Sequence, residues 1–295
     1  MSFASLAKFF GAVSFGLVAV SVILLVSPSP ILSIEFTGGT LMEWNVPNGT
    51  KESLLQALQG FPSETPLTPT ISTTKTGTFF VRVLTLRNEE HITLLQHVQT
   101  ALQGTEELQY TTIGPTVGAS LKRRAVWAII VASVAIVLYL AVAFRKVPQQ
   151  LSPWTFGIAA IVALLHDILI TLGVFTLLSH STSFQMDTLF VSALISIMGY
   201  SVSDTIVIFD RIRDTLLAEG KRSDIMTIAS KSLRQCLSRT LNTGLGALIM
   251  LFALFFFGSE SIRWFILALI AGTVIGTYSS FFVATPLLVL MKRKS

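Results

Sequence analysis

Six apolar runs, each close to the length needed to cross a bilayer, leave this chain very few folds. They cover residues 9–26, 125–144, 154–178, 188–210, 237–257 and 264–291. Hydrocarbon offers the backbone no hydrogen bonds, so each run must satisfy its own N–H and C=O groups as a helix. Composition agrees: 52% of the residues are hydrophobic and 13% charged, against about 25% charged in a soluble domain. The one long stretch outside these runs is residues 31–122. The expected fold class is therefore an α-helical polytopic membrane protein of six transmembrane helices carrying one α+β domain.

The charges set the topology. Arg145, Lys146, Arg211, Arg213, Lys221, Arg222, Lys231, Arg234 and Lys292 to Lys294 fall on one side, and the loop of residues 179–186 has no Lys or Arg. The basic side faces the cytoplasm, which puts both termini inside and the 31–122 domain outside. Lys122, Arg123 and Arg124 break the trend as interfacial anchors behind a long translocated domain. The formal charge of +5 belongs to these short loops, so nucleic acid is excluded as a partner and membrane lipid takes its place. Residues 9–26 are long for a signal peptide, and Ser27-Pro28-Ser29-Pro30 offers no small-x-small cleavage site, so the run is expected to be retained. The lone Cys236 can form no internal disulfide.

Residues 31–122 read as βαββαβ. Strands are expected at 40–46, 69–75, 78–85 and 107–113, with a turn at Thr76-Gly77. Thr50 caps a helix running to Gln59, and Asn88 caps a second whose apolar face is Ile92, Leu95, Val98 and Leu102. That order is ferredoxin-like. Asn48-Gly49-Thr50 matches a glycosylation sequon but reads as a turn into the helix cap. The dense Gly114-Pro115-Thr116-Val117-Gly118 marks a hinge between this domain and residues 123–295. Residues 224–236 show apolar positions at helical spacing, and are expected to lie as an amphipathic helix on the inner surface. Gly272, Gly276 and Ser280, four apart, favour a close helix contact, and Pro286 should kink the last turn.

Asp204 carries the chemistry. It has apolar flanks on both sides in the fourth run, with Tyr200, Ser201 and Ser203 within a turn or two. A carboxylate at bilayer depth costs at least about 2.5 kcal/mol, so it must be paired, hydrated or protonated. One reading is helix-to-helix glue; the functional reading is a proton or ion carrier. His166 and Asp167 sit near the middle of the third run and read either as a relay to Asp204 or as a structural pair. Counting rise along the helices puts Arg239 at the depth of Asp204, which makes it the expected partner; snorkelling to inner headgroups is its other reading. No metal cluster, nucleotide loop or cofactor motif is visible.

Several stretches resemble the SecF family, the smaller membrane subunits of the bacterial SecD–SecF protein-export complex. Ile34-Glu35-Phe36-Thr37-Gly38-Gly39-Thr40 is similar to that family's IDFTGGT, with Glu35 where Asp is usual. Residues 114–118 resemble its GPTVG, residues 199–213 its GYSxxDTIVxFDRIR, and residues 237–243 its LSRTxNT; His166-Asp167 matches an HD pair. The resemblance implies kinship with resistance-nodulation-division transporters, which often carry two adjacent Asp residues where this chain has Ser203-Asp204. It also implies a location in the inner membrane with the soluble domain periplasmic, use of the proton-motive force to complete polypeptide export, and as partners a SecD-like subunit, the SecYEG channel, the unfolded exported polypeptide and protons. It maps a functional carboxylate and arginine onto Asp204 and Arg239.

Three other classes make different predictions. Half of a proton-coupled efflux transporter requires a second carboxylate beside Asp204. An intramembrane serine hydrolase would use the faint Gly199-Tyr200-Ser201-Val202-Ser203 motif with His166 as base, and needs a strand-to-helix turn there. A scaffold subunit would tolerate Asn at position 204.

Overall fold

The computed structural model describes residues 3–47, 49–62, 67–74, 77–145, 151–219 and 224–291. Lys146, Lys221, Arg222 and Lys292 to Lys294, on which part of the topology argument rests, lie outside these residues, as do Asn48 and Thr76. Two compact units form: Met1–Pro30, Trp127–Leu178 and Leu189–Ser295 in one, and Ile31–Val126 with Ser179–Thr188 in the other.

The first unit is helical, and the described residues hold six helices long and apolar enough to span a membrane. They are α1 (Phe3–Val26), α5 (Pro115–Ala143), α6 (Pro153–Ser181), α7 (Thr188–Glu219), α8 (Ile225–Phe257) and a last one built of α9 (Arg263–Ser279), a π-helical stretch (Ser280–Ala284) and α10 (Thr285–Leu290). The π stretch lies directly ahead of Pro286, which has no N–H to donate, and Thr285 Oγ1 donates to the Ser280 carbonyl at 2.9 Å.

Two boundaries differ from expectation. Helix α5 starts at Pro115, so Gly114 precedes the helix and Gly118 lies in its first turn, where its N–H donates to the Gly114 carbonyl at 3.0 Å. Proline at the first helical position costs no hydrogen bond, so the Gly-Pro pair opens the helix. Helix α8 is continuous from residue 225, where a separate surface helix and span were expected. No Gly or Pro interrupts it before Gly244. Its apolar positions Ile225, Ile228, Ala229, Leu233 and Cys236 pack with Leu140, Phe144, Phe156, Phe209, Ile212 and Leu216 in a core cluster of the chain itself.

The second unit holds a four-stranded antiparallel sheet in the order β2-β3-β1-β4, from β1 (Gly39–Asn45), β2 (Thr70–Thr73), β3 (Phe79–Val83) and β4 (Glu106–Ile113). Helix α2 (Ile34–Thr37) precedes β1, α3 (Lys51–Gln59) joins β1 to β2, and α4 (Asn88–Ala101) joins β3 to β4. Met42, Trp44, Val81, Leu54, Leu58, Leu94 and Val98 are among its core residues. Thr50 caps α3 in a reciprocal box with Ser53. On α4 the cap is Arg87, one residue earlier than expected, with Glu90 accepting its N–H at 2.8 Å. The buried face is His91, Leu94 and Val98, which leaves Ile92 outside. His91 is held there by Glu107, whose Oε1 lies 2.8 Å from Nε2 and also accepts from Trp44 Nε1.

Candidate functional site: a buried polar centre in the helical unit

Asp167 is fully buried and His166 nearly so, on α6. His166 Nδ1 is 2.9 Å from Asp167 Oδ1. The other carboxylate oxygen, Oδ2, accepts from Ser201 Oγ of α7 at 2.5 Å and from Ser279 Oγ of α9 at 2.9 Å. Three helices thus converge on one carboxylate, and Leu164, Ile168, Met198 and Val202 form an apolar cluster on two of them, α6 and α7. His166 Nε2 is buried with no hydrogen-bond partner among the described residues, and the ring lies 6.1 Å from that of Tyr278, whose hydroxyl donates to the Phe10 carbonyl of α1 and is 2.9 Å from Ser14 Oγ.

Asp204 lies one turn beyond Ser201 on α7, a rise of about 4.5 Å, and is buried as well. Thr277 Oγ1 of α9 donates to its Oδ2 at 3.3 Å. Thr205, the next residue, is 2.9 Å from Ser280 through their hydroxyls, both buried. These contacts follow from close approach of α9 to α7. A Cβ built on Gly272 would sit 2.2 Å from Ile197 Cδ1, and one on Gly276 would sit 2.9 Å from Ser201 Cβ. The stripe Gly272, Gly276, Ser280 therefore faces Ile197, Ser201, Thr205, each set spaced by four along its helix.

The remaining sequence candidates sit elsewhere. Ser203 points outward and donates to the Gly199 carbonyl of its own helix. Arg239 is exposed on α8, and the ion pairs among the described residues do not join it to Asp204. Depth along a helix follows from 1.5 Å per residue, but direction turns by 100° per residue. Thr240 and Gly244 are the buried positions on that part of α8, and a Cβ on Gly244 would lie 3.1 Å from the Tyr200 hydroxyl and 3.6 Å from Thr277 Oγ1. Sequence reasoning missed Thr277, Ser279 and Thr205; the four-residue repeat of small polar positions was the available signal.

The Ser201 hydroxyl donates its hydrogen bond to the carboxylate and not to the imidazole, and residues 199–203 are helical. A hydrolytic triad has the base on the hydroxyl, with the nucleophile on a strand-to-helix turn. The efflux reading calls for a second carboxylate beside Asp204, where this chain has the outward Ser203.

Residues 93–294 match the family described as "Protein export membrane protein SecD/SecF, C-terminal". The chain is also 31% identical over 283 residues to the "Protein translocase subunit SecF" of Anaerolinea thermophila, covering 95% of this chain and 91% of that one. The chain belongs to the SecF family. It shares 46% identity over 189 residues with the SecF of Thermobaculum terrenum, spanning 64% of this chain and 58% of the relative. Its fold is similar to the crystal structure of SecDF, a translocon-associated membrane protein from Thermus thermophilus, with a TM-score of 0.83 at 33% identity. That match covers 98% of this chain and 38% of the SecDF chain. Family membership and the six apolar helices make this a multi-pass membrane protein.

Proposed function

We propose that this SecF-family chain is an auxiliary subunit of the Sec protein translocase that works with a SecD-like subunit and draws on the proton-motive force. It sits in the inner membrane with both termini cytoplasmic and its small domain, of ferredoxin-like βαββαβ type, in the periplasm. The SecYEG channel and the unfolded exported polypeptide are its other partners. The observation that carries the reading is the pair of buried carboxylates, Asp167 and Asp204, on adjoining helices, in stretches (154–178 and 188–209) that hold no other Asp, Glu, Lys or Arg. SecF relatives support the translocase role, and a SecDF relative in which the two names are joined supports the SecD-like partner.

Asp204 is the proton carrier in this reading. Asp167, with His166 behind it, is the outer station that relays to Asp204, and the hydroxyls of Ser201, Ser279 and Thr277 hold the two carboxylates in register. Arg239 acts from its exposed position, toward a neighbouring subunit or in another state of the cycle. Residues 114–118 transmit the motion between domain and helices. One charge crossing 100 mV is worth about 2.3 kcal/mol, a bias of roughly fifty-fold on a two-state motion.

The test is export of a model preprotein into inverted vesicles with the SecD-like partner present, with and without an imposed proton gradient. Asp204→Asn should remove the gradient-dependent part while ATP-driven initiation persists. Full stimulation by the Asn variant would refute the assignment.

A further inference from the structure

Residues 34–40 carry part of the family resemblance, yet they have no part in the proton pathway just described. In the structure they make the one-turn helix α2 and the turn that follows. Ser33 caps α2 by accepting the Glu35 N–H. The Glu35 carboxylate reaches elsewhere: its Oε2 accepts the backbone N–H of Thr188 at 2.7 Å. Thr188 is the first residue of α7, the helix that also holds Ser201 and Asp204. A carboxylate at that place satisfies one of the helix's orphan donors and meets the positive end of its dipole.

The residues just before Thr188 are fastened to the same unit. Met186 N–H donates to the Ile31 carbonyl and Ser33 N–H to the Met186 carbonyl, each at 2.9 Å, which makes a parallel bridge between Leu32 and Met186. Ser179 Oγ accepts from Ile31 N–H at 3.3 Å. Arg82 of β3 closes the joint, donating to the Leu32 carbonyl at 2.8 Å, to Gln185 Oε1 at 3.3 Å and to Thr37 Oγ1. The two glycines have a reason here. Gly38 and Gly39 hold φ of +73° and +128°, and a Cβ on Gly38 would lie 2.9 Å from Pro115 Cα; one on Gly118 would lie 2.8 Å from Gly38 N. One short motif thus packs against the first turn of α5 and caps the first turn of α7.

We infer that Glu35 is a positioning residue: through Thr188 it fixes the start of α7 to the small domain, so that the domain and the helix carrying Asp204 shift together. The consequence for export rests on the proton-driven reading above; the latch itself does not.

The experiment uses the full chain with its SecD-like partner in lipid vesicles and compares Glu35→Ala, Glu35→Gln and Glu35→Asp with the native protein. Hydrogen exchange is followed at the start of α7, and export is measured with and without a proton gradient. In Glu35→Ala, exchange there should speed up by roughly tenfold, the order expected for a lost helix cap. Gradient-dependent export should fall about threefold or more, with ATP-driven initiation unchanged. Glu35→Asp, which keeps the charge at the helix end, should recover most of the export. Unchanged exchange in Glu35→Ala overturns the inference, as does faster exchange with native export. So does a Glu35→Asp variant that exchanges as fast and exports as poorly as Glu35→Ala, since the charge at the helix end then does nothing. Asp204→Asn is run in parallel. If it keeps full gradient stimulation, the carrier assignment fails, while the Glu35 latch is still judged on exchange and on total export.

Discussion

The hydroxyl of Ser201 on α7 donates to the Asp167 carboxylate on α6 at 2.5 Å, and Ser279 of α9 donates to the same oxygen at 2.9 Å. Removing one donor leaves a buried carboxylate with one hydroxyl and the imidazole. Hydrogen bonds between membrane helices average about 0.6 and reach about 1.7 kcal/mol. Ser201→Ala and Ser279→Ala are each expected to destabilise the purified chain within that range. The double variant should lose more than the sum, because the last hydroxyl donor disappears with it. Unfolding in mixed micelles measures all three, and strict additivity would contradict the shared role.

The approach of α9 to α7 depends on two glycines. Alanine at Gly272 or Gly276 would place a methyl 2.2 Å from Ile197 Cδ1 or 2.9 Å from Ser201 Cβ. Overpacking of this kind costs about 1–3 kcal/mol. On α8, a Cβ added to Gly246 would meet no atom within 4 Å, so Gly246→Ala serves as control and should stay within about 0.5 kcal/mol. Thermal melts of the three variants separate the cases.

Asp204 meets Thr277, not Arg239. In the isolated chain, a double-mutant cycle of Asp204→Asn with Arg239→Ala should therefore give a coupling below about 0.5 kcal/mol. The same cycle read through gradient-dependent export should be strongly non-additive if both residues serve one step. A stability coupling well above about 1 kcal/mol would show that the two side chains pair directly in the resting chain.

Gly38→Ala is expected to destabilise the small domain by about 1–3 kcal/mol. It combines a φ of +73° with a contact against Pro115 Cα at 2.9 Å. Gly77 has a similar φ, +86°, in open space, so Gly77→Asn should cost little. Circular dichroism melts of both variants distinguish crowding from backbone conformation alone.

The amino-acid sequence determined the spans, because lipid allows a long apolar run only one way to satisfy its backbone. It also pointed to the order of strands and helices from β1 to β4, though not to the short helix α2 ahead of them, and it singled out Asp204 and Asp167 because charge is expensive where they stand. The tertiary structure decided which groups those carboxylates meet. Helical rise puts Arg239 at the right depth, but its direction on α8 leaves it outside, while Ser279 and Thr277, unremarkable in the sequence, face inward from α9. It decided as well that residues 225–236 bury their apolar face in the chain's own core, for an amphipathic pattern does not say whether protein or membrane covers it. The motif around Glu35 shows the same division most sharply. Its residues were legible as a family motif, but the partner of its carboxylate lies 153 residues away at the start of α7, a distance in sequence that only packing can close.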